Sequence, residues 1–333
     1  MSLVVDRLAP AAQRDATRVW AVLGRASLMS RLTWALIAAL SLLVLTLAPL
    51  AGLAIAWREL WTIPALAIAI AIAAVLLRTQ GWFPRIADGA KATAALSMLA
   101  FCVPLLTCVL ATTALPLADA RLIAMDAALG LDWRWLAGLA KDQEAVSLAL
   151  SYAYASLMYQ PALLVLALAF AGRARRLEGV TLAWAVALAV TAGAFPLAPA
   201  LGGYLHYGLA PQDFPFIKVQ AAWLHATVLE PLRNGTTSEL GRLALEGIVT
   251  FPSFHTSAAV LLAWGFWGLR LLRWPALALN AAMIAACLFV GAHYIVDLIA
   301  GGAVAWGAIL VAKRADRHTS IRRAELVWKP YVQ

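Results

Sequence analysis

The sequence has few charged residues. They make up 13% of its 333 residues, whereas soluble domains usually carry about 25%. Hydrophobic residues reach 63% and mean hydropathy is +0.82, and this excess does not fit inside one soluble core. Lipid must therefore cover much of the surface, which excludes a cytosolic enzyme, a secreted disulfide scaffold and a disordered chain. We predict a single polytopic membrane domain of all-α class.

Cysteine is also scarce. The three cysteines, Cys102, Cys108 and Cys287, all lie inside long apolar runs. An odd number of thiols in such runs is not a disulfide framework, and we interpret these residues as small apolar fillers. No metal and no other cofactor is expected.

The apolar runs predict the membrane topology. A spanning helix needs about 20 apolar residues, and eight runs approach this length: 33–56, 61–77, 93–115, 146–171, 179–198, 254–272, 275–291 and 294–312. The second and the seventh are the shortest. The chain is thus organised as an N-terminal segment (1–32), one transmembrane domain (33–312) and a basic tail (313–333).

The basic residues sort by side of the predicted membrane. Nineteen of the 26 Lys and Arg residues fall in the segments 1–32, 78–92, 172–178, 270–273 and 313–333. Because loops rich in Lys and Arg stay in the cytoplasm, both termini are expected there. This sorting explains the net charge of +9 without a nucleic-acid partner.

Two outer segments are longer than simple connections. Residues 116–145 contain five acidic side chains together with Trp133 and Trp135, a composition typical of one or two helices lying in the membrane interface. Residues 199–253 form the longest stretch outside the spans, and loops of this length often carry function. We expect the two segments to form a helical cap on the outer, periplasmic face.

Ionisable residues at membrane depth are functional candidates, and three stand out: His255, His293 and Asp297. The 38 residues from His255 to His293 would make about 57 Å of helix, or two crossings of a core about 30 Å thick. Both histidines are therefore expected at the outer face. Asp297 follows His293 by four residues, so it lies on the same helix face and can accept the second ring N–H.

This set suits phosphoryl transfer through a covalent histidine. A neutral imidazole attacks phosphorus, a carboxylate behind the ring stabilises the charge that develops, and a second imidazole moves the proton of the leaving or incoming oxygen. Ser253 and the free N–H groups of the adjacent helix start would face the same pocket, where a phosphate binds well.

Two strings carry a family resemblance. Phe251-Pro252-Ser253-Phe254-His255 and His293-Tyr294-Ile295-Val296-Asp297 resemble the second and third signature motifs of the type 2 phosphatidic acid phosphatase superfamily. Phe254 stands where the usual second motif has glycine, which looks more like the branch of the fungal inositol phosphorylceramide synthases (inositolphosphotransferases) and their bacterial relatives. The resemblance covers residues 246–303, and the segments 130–133 and 195–199 less specifically.

The resemblance implies an enzyme that acts on a lipid phosphate. It implies that His293 is the nucleophile, that Asp297 is its partner and that His255 is the general acid and base. The acceptor is water in a lipid phosphatase or an alcohol such as inositol in a transferase. A reactive centre at headgroup depth can meet a lipid laterally, so membrane lipids are the expected partners.

The family's first signature motif, a Lys followed seven residues later by Arg-Pro, is absent. Lys218 is followed at that spacing by His225 and Ala226, and Cys287 stands where the third motif usually has Arg. A phosphate still needs cationic partners. We therefore select Arg233, Lys218 and Arg242 as candidate substrate-binding cations from the 199–253 segment, whereas His206 and His225 are interpreted as interfacial or loop histidines.

Several alternatives remain open at this stage. The two histidines and Asp297 could form a structural hydrogen-bonded set, or they could bind zinc, although the sequence offers no fourth ligand. The absent motif cations favour a second class of function, a non-catalytic protein that binds or translocates a lipid phosphate or polyprenyl phosphate. The Ala/Leu-rich, Lys-poor composition favours a bacterial inner membrane, and the oligomeric state is not predicted.

Overall fold

The computed structural model describes residues 26–219 and 221–328, and for Ala140 and residues 319–328 it describes the backbone alone. About three quarters of the described residues are helical. Most of the expected N-terminal segment (residues 1–25) and the end of the expected tail (329–333) lie outside the described residues.

The helices of the first half are α1 (Leu28–Leu50), α2 (Trp57–Leu60), α3 (Thr62–Thr79), α4 (Pro84–Ala111), α5 (Asp119–Ala128), α6 (Trp133–Lys141), α7 (Glu144–Ala155), α8 (Gln160–Phe170) and α9 (Ala174–Ala194). The helices of the second half are α10 (Gly203–His206), α11 (Ala221–Leu224), α12 (Ala226–Arg233), α13 (Phe254–Phe266), α14 (Arg273–Phe289) and α15 (Ile295–Trp328). Two-residue strands, β1 (Ala54–Ile55) and β2 (Glu239–Leu240), pair in parallel. Short 3₁₀ turns cover Ser156–Met158, Phe195–Leu197, Pro211–Asp213 and Arg242–Leu245.

Five described helices are long and apolar enough to cross a membrane: α1, α3, α4, α9 with its 3₁₀ extension, and α15 up to His318. A sixth candidate is α7 and α8, which meet at a 55° bend. The chain is therefore a helical, polytopic membrane protein, and each of the eight apolar runs contains a helix.

The last hairpin differs from the expected pair of full spans. Helix α13 has 13 residues and α14 has 17, which correspond to about 20 Å and about 25 Å of helix. The connection at 267–272 contains Gly268 and Arg270 and is not helical. These helices are thus shorter than the thickness of a hydrocarbon core, and a count of eight complete spans does not follow.

Helix α9 lies at the centre of the molecule and packs against α1, α4, α13 and α15. Its Ala183, Ala185 and Ala187 are completely buried, and such small residues let neighbouring helices approach closely in a membrane. The packing holds the start of α13 and the start of α15 at the same end of the bundle. The other end carries the ion pairs Lys91–Glu178, Arg78–Asp88 and Arg175–Asp316.

Residues 116–145 form two short helices, α5 and α6, at the end of the bundle where α15 begins. Helix α6 buries Trp133 and Ala137 and exposes Trp135 and Leu139. Residues 199–253 form α10 to α12 and β2 over the same end of the molecule. Helix α15 continues through Trp328 and therefore includes residues 313–328 of the expected tail.

Candidate active site

His293 lies between two polar side chains, one on each ring nitrogen. Its Nδ1 is 3.4 Å from Asp297 Oδ2, and its Nε2 is 3.4 Å from Ser253 Oγ. His293 is 4% exposed and Asp297 is completely buried. A carboxylate beside Nδ1 favours the tautomer that carries its proton there, and this leaves a lone pair on Nε2.

Asp297 is fixed by the turn that precedes α15. Its Oδ2 accepts the N–H of Tyr294 at 2.9 Å, and its backbone carbonyl accepts the N–H of Ser253 at 3.1 Å. His293 itself lies two residues before the helix begins. The pair is therefore held by the first turn of α15 and the residues before it, and not by two positions on one helix face.

A glycine allows the two motif helices to meet. A Cβ atom on Gly301 of α15 would lie 2.3 Å from the carbonyl oxygen of Ser253, which is closer than any side chain permits. The hydroxyl of Ser257 donates to the Gly301 carbonyl at 2.7 Å. This contact brings the start of α13 against the first two turns of α15.

Ser253 is the N-cap of α13, and its Oγ accepts the N–H of Thr256 at 3.3 Å. Its side chain therefore stabilises the helix start and contacts His293 at the same time. The next two residues, Phe254 and His255, are the first of the helix, where backbone N–H groups have no helical acceptor. The site thus includes a helix N-terminus, which binds anions.

His255 stacks on Tyr154, with ring centroids 4.0 Å apart and an interplanar angle of 15°. A Cβ atom on Gly291 would lie 2.8 Å from His293 Cδ2 and 3.0 Å from Tyr154 Cε2. The rings of His293 and Tyr154 therefore both lie next to Gly291. The structure thereby brings His255, Tyr154 and His293 into one cluster. Sequence reasoning did not select Tyr154, since nothing in the sequence linked it to a histidine.

Two residues of the 116–145 segment bond to the turn from His293 to Val296, which is named the reactive turn. Sequence reasoning missed both residues. The buried carboxylate of Asp126 accepts the N–H groups of Ile295 and Val296 at 2.9 and 3.0 Å. The indole N–H of Trp133 donates to the carbonyl of His293 at 3.0 Å. The 116–145 segment is therefore bonded directly to His293, Ile295 and Val296.

Asp119 connects the 199–253 segment to the same turn. Its carboxylate accepts the N–H groups of Leu201 and Gly202 at 3.0 and 2.9 Å and the hydroxyl of Tyr294 at 2.8 Å. Burial, together with the negative charge of Asp119, raises the pKa of Tyr294 above its ordinary range. Tyr294 therefore keeps its proton and acts as a donor.

The three cations selected from the sequence make other contacts. Lys218 is exposed and its Nζ lies 3.2 Å from the Pro215 carbonyl, Arg233 donates to the Leu115 carbonyl at 2.9 Å, and Arg242 lines a cavity with Glu59. Within the described residues, none of these contacts reaches His293. Their role toward a phosphate stays a prediction.

The described residues contain no group of three or more His, Cys, Asp and Glu side chains placed to hold a metal ion. His206 is exposed and packs edge-to-face on Tyr207, with centroids 5.1 Å apart.

A family model described as the PAP2 superfamily matches residues 120–311. The chain belongs to the PAP2 superfamily. The match covers more than half of the chain and includes Ser253, His255, His293 and Asp297. PAP2 superfamily membership supports an integral membrane enzyme of the lipid phosphatase or phosphotransferase type. No curated protein and no solved structure gives a significant match.

Proposed function

We propose that this PAP2 protein transfers a phosphoryl or headgroup phosphoryl unit from a lipid phosphate to water or an alcohol, through a phosphohistidine on His293. The observation that carries the proposal is the environment of the His293 ring. Asp297 lies behind Nδ1, and Nε2 faces the N-terminus of α13. A nucleophile whose second nitrogen is held by a carboxylate is the arrangement that nucleophilic catalysis requires.

In the first step, the Nε2 lone pair forms a bond to phosphorus and the ester P–O bond of the lipid breaks. The leaving oxygen takes a proton from His255. In the second step, the neutral His255 removes a proton from water or an alcohol, the new oxygen bonds to phosphorus, and the N–P electron pair returns to His293. Asp297 stabilises the positive imidazole between the two steps.

The start of α13 supplies donors for the phosphate oxygens. The N–H groups of Phe254 and His255 are free of helical acceptors, and the helix dipole adds a partial positive charge at this end. Such donors stabilise charge that develops on oxygen in the transition state. These donors replace part of the positive charge that the absent motif cations would supply.

The acceptor depends on how well the site excludes water. Residues 199–253 lie over the same end of the bundle as His293, and excluding water favours an alcohol acceptor. The likeness to the inositol phosphorylceramide synthase branch supports inositol as one acceptor to test. We place the site on the periplasmic face of a bacterial inner membrane, with both termini in the cytoplasm, because of the sorting of Lys and Arg.

The test offers labelled phosphatidic acid and labelled phosphoinositide in detergent, with and without inositol or diacylglycerol. Wild type should release or transfer label, His293→Ala should lose turnover, and His255→Ala should accumulate acid-labile phosphoprotein. His206→Ala is the matched control and should keep turnover. Equal turnover of wild type and His293→Ala would refute the mechanism.

A second function is favoured by the absence of the family's usual motif cations, since Cys287 stands where the third motif usually has Arg. In this alternative, the chain binds or translocates a lipid phosphate or polyprenyl phosphate without chemistry. In that case His293→Ala would keep both lipid binding and cellular activity, and no phosphoprotein would form with any variant.

A further inference from the structure

His225 joins α11 to α12 and has one nitrogen without a partner. Its Nδ1 lies 3.3 Å from the carbonyl of Ala221, and this contact favours the tautomer that carries its proton on Nδ1. Its Nε2 is buried and has no hydrogen-bond partner in the described part of the chain. Buried polar atoms in proteins are nearly always satisfied, so an unpaired imidazole nitrogen is a candidate ligand-binding atom.

The surroundings of His225 connect it to the reactive turn. The groups from other elements that act on its ring are His293, from the turn before α15, Asp119, from α5, and the backbone of Leu201. Both carboxylate oxygens of Asp119 already accept hydrogen bonds from Leu201, Gly202 and Tyr294. Asp119 therefore adds negative charge beside His225 while its own oxygens are engaged.

The packing agrees with this position. Ala222 of α11, three residues before His225, belongs to the same buried cluster as Cys287, Ala292 and Tyr294. The side chain of Trp223 stacks on Tyr204 with centroids 4.6 Å apart. Helix α11 thus packs in the cluster of residues that surrounds His293, and His225 lies directly after it, in the turn that leads to α12.

We propose that His225 is a substrate-binding residue of the His293 site, and that its Nε2 takes up a proton and donates a hydrogen bond to a phosphate oxygen. This inference rests on the proposed function, because it assigns a residue to the same site. Without ligand, burial lowers the pKa of His225 below its ordinary value of 6.5. An incoming phosphate dianion would favour the protonated form and convert an unpaired acceptor into a cationic donor.

The chemistry that His225 recognises is a phosphate oxygen, whether it belongs to a lipid headgroup or to free phosphate. The first measurement is calorimetric binding of inorganic phosphate to the full-length protein in detergent, at pH 6 and pH 8. Sulfate, whose charge does not change over this range, is the second probe. Wild type should bind both anions more tightly at pH 6, with proton uptake detected from buffers of different ionisation enthalpy.

The variants are His225→Ala, His225→Gln and His225→Arg, with His206→Ala as the matched control. Loss of one charge-assisted hydrogen bond should weaken anion binding at pH 6 by roughly 10- to 100-fold in the first two and should remove most of the proton uptake. His225→Arg should restore binding at both pH values, and His206→Ala should bind as wild type. Thermal unfolding selects the folded variants, and His225→Gln is the nearest to wild type in shape.

The lipid arm measures KM and kcat with phosphatidic acid in mixed micelles. We expect His225→Gln to raise KM about tenfold or more. If His225→Gln and His225→Ala bind anions as wild type does, or if wild type binds neither anion, the inference is overturned. If anion binding depends on His225 but wild type turns over no lipid, the proposed function fails and the binding site stands. If turnover requires His293 while His225→Gln has the KM of wild type, only this inference fails.

Discussion

Removal of the Asp126 carboxylate should loosen the start of α15. Asp126 accepts two N–H groups, from Ile295 and Val296, and hydrogen bonds to a charged group contribute about 1.5–3 kcal/mol each. Asp126→Ala should therefore lower the free energy of unfolding by about 3–6 kcal/mol. Asp126→Asn keeps one acceptor oxygen and should lose about half as much. A displacement of about 1 Å at a reacting group can cost roughly 100-fold in rate. Turnover should therefore fall more in Asp126→Ala than in Asp126→Asn.

The assay is thermal unfolding of the purified protein in detergent, together with lipid-phosphate turnover by the same samples. Asp132 provides the matched control, since its carboxylate accepts the N–H of Arg134 at 2.8 Å at an exposed helix start. Asp132→Ala should cost about 1 kcal/mol and leave turnover near wild type. If Asp126→Ala and Asp132→Ala unfold at the same temperature, the 116–145 segment does not hold the reactive turn.

Three further predictions concern packing, tautomer and pH. Gly301→Ala forces a Cβ against the Ser253 carbonyl, and it should lower the free energy of unfolding by about 1–3 kcal/mol and remove most turnover. A Cβ on Gly302 would meet no atom within 4 Å, so Gly302→Ala should unfold as wild type does. Equal melting temperatures of the two variants would contradict the packing argument. Asp297→Asn should lower kcat by roughly 10³- to 10⁴-fold, because the nucleophile loses its fixed tautomer; a kcat near that of wild type would remove Asp297 from the mechanism. Burial lowers the pKa of His225, so below about pH 6.5 the unfolded chain binds a proton that the folded chain does not, and stability falls. The melting temperature of His225→Gln should therefore fall less on acidification than that of wild type. Parallel curves of melting temperature against pH would count against a lowered pKa of His225.

The sequence predicted the helices well because apolar length is a local property. Each of the eight runs contains a helix. The predicted turn at Arg270 and Arg273 overlaps the connection at 267–272, but α13 ends at Phe266, before the predicted end of its span at residue 272. The start of α4 is nine residues earlier than predicted, at Pro84. Its first turns carry Asp88 and Lys91, which pair with Arg78 and Glu178. These charged residues are thus paired on the helix, whereas composition alone placed them in a loop.

The candidate site was only partly predictable, and the limit was distance along the chain. His293 and Asp297 are four residues apart, so spacing alone indicated their contact. Asp126 is 169 residues from Ile295, and no sequence pattern joins them. Asp119 and Trp133 act on the same turn from similar separations. A signal was present, since acidic residues in an apolar segment need partners, but the sequence did not say which.

The three selected cations are residues that the sequence indicated and that the structure does not bring to His293. Lys218, Arg233 and Arg242 were selected for charge and loop position, and charge alone does not fix the direction of a long side chain. His225 was set aside because an isolated loop histidine is usually unremarkable. Its burial comes from α11 packing on residues near 290, which is a tertiary effect.

The contacts of α5 and α6 with the turn before α15 impose an order on how this protein is made. Asp119, Asp126 and Trp133 leave the ribosome 160 to 175 residues before their partners, which are the Tyr294 hydroxyl, the Val296 N–H and the His293 carbonyl. Until the start of the last helix has been synthesised, these three side chains lack those partners. The site therefore exists only in a chain synthesised nearly to its end, and a nascent or prematurely terminated product that lacks this helix would carry no phosphoryl-transfer activity.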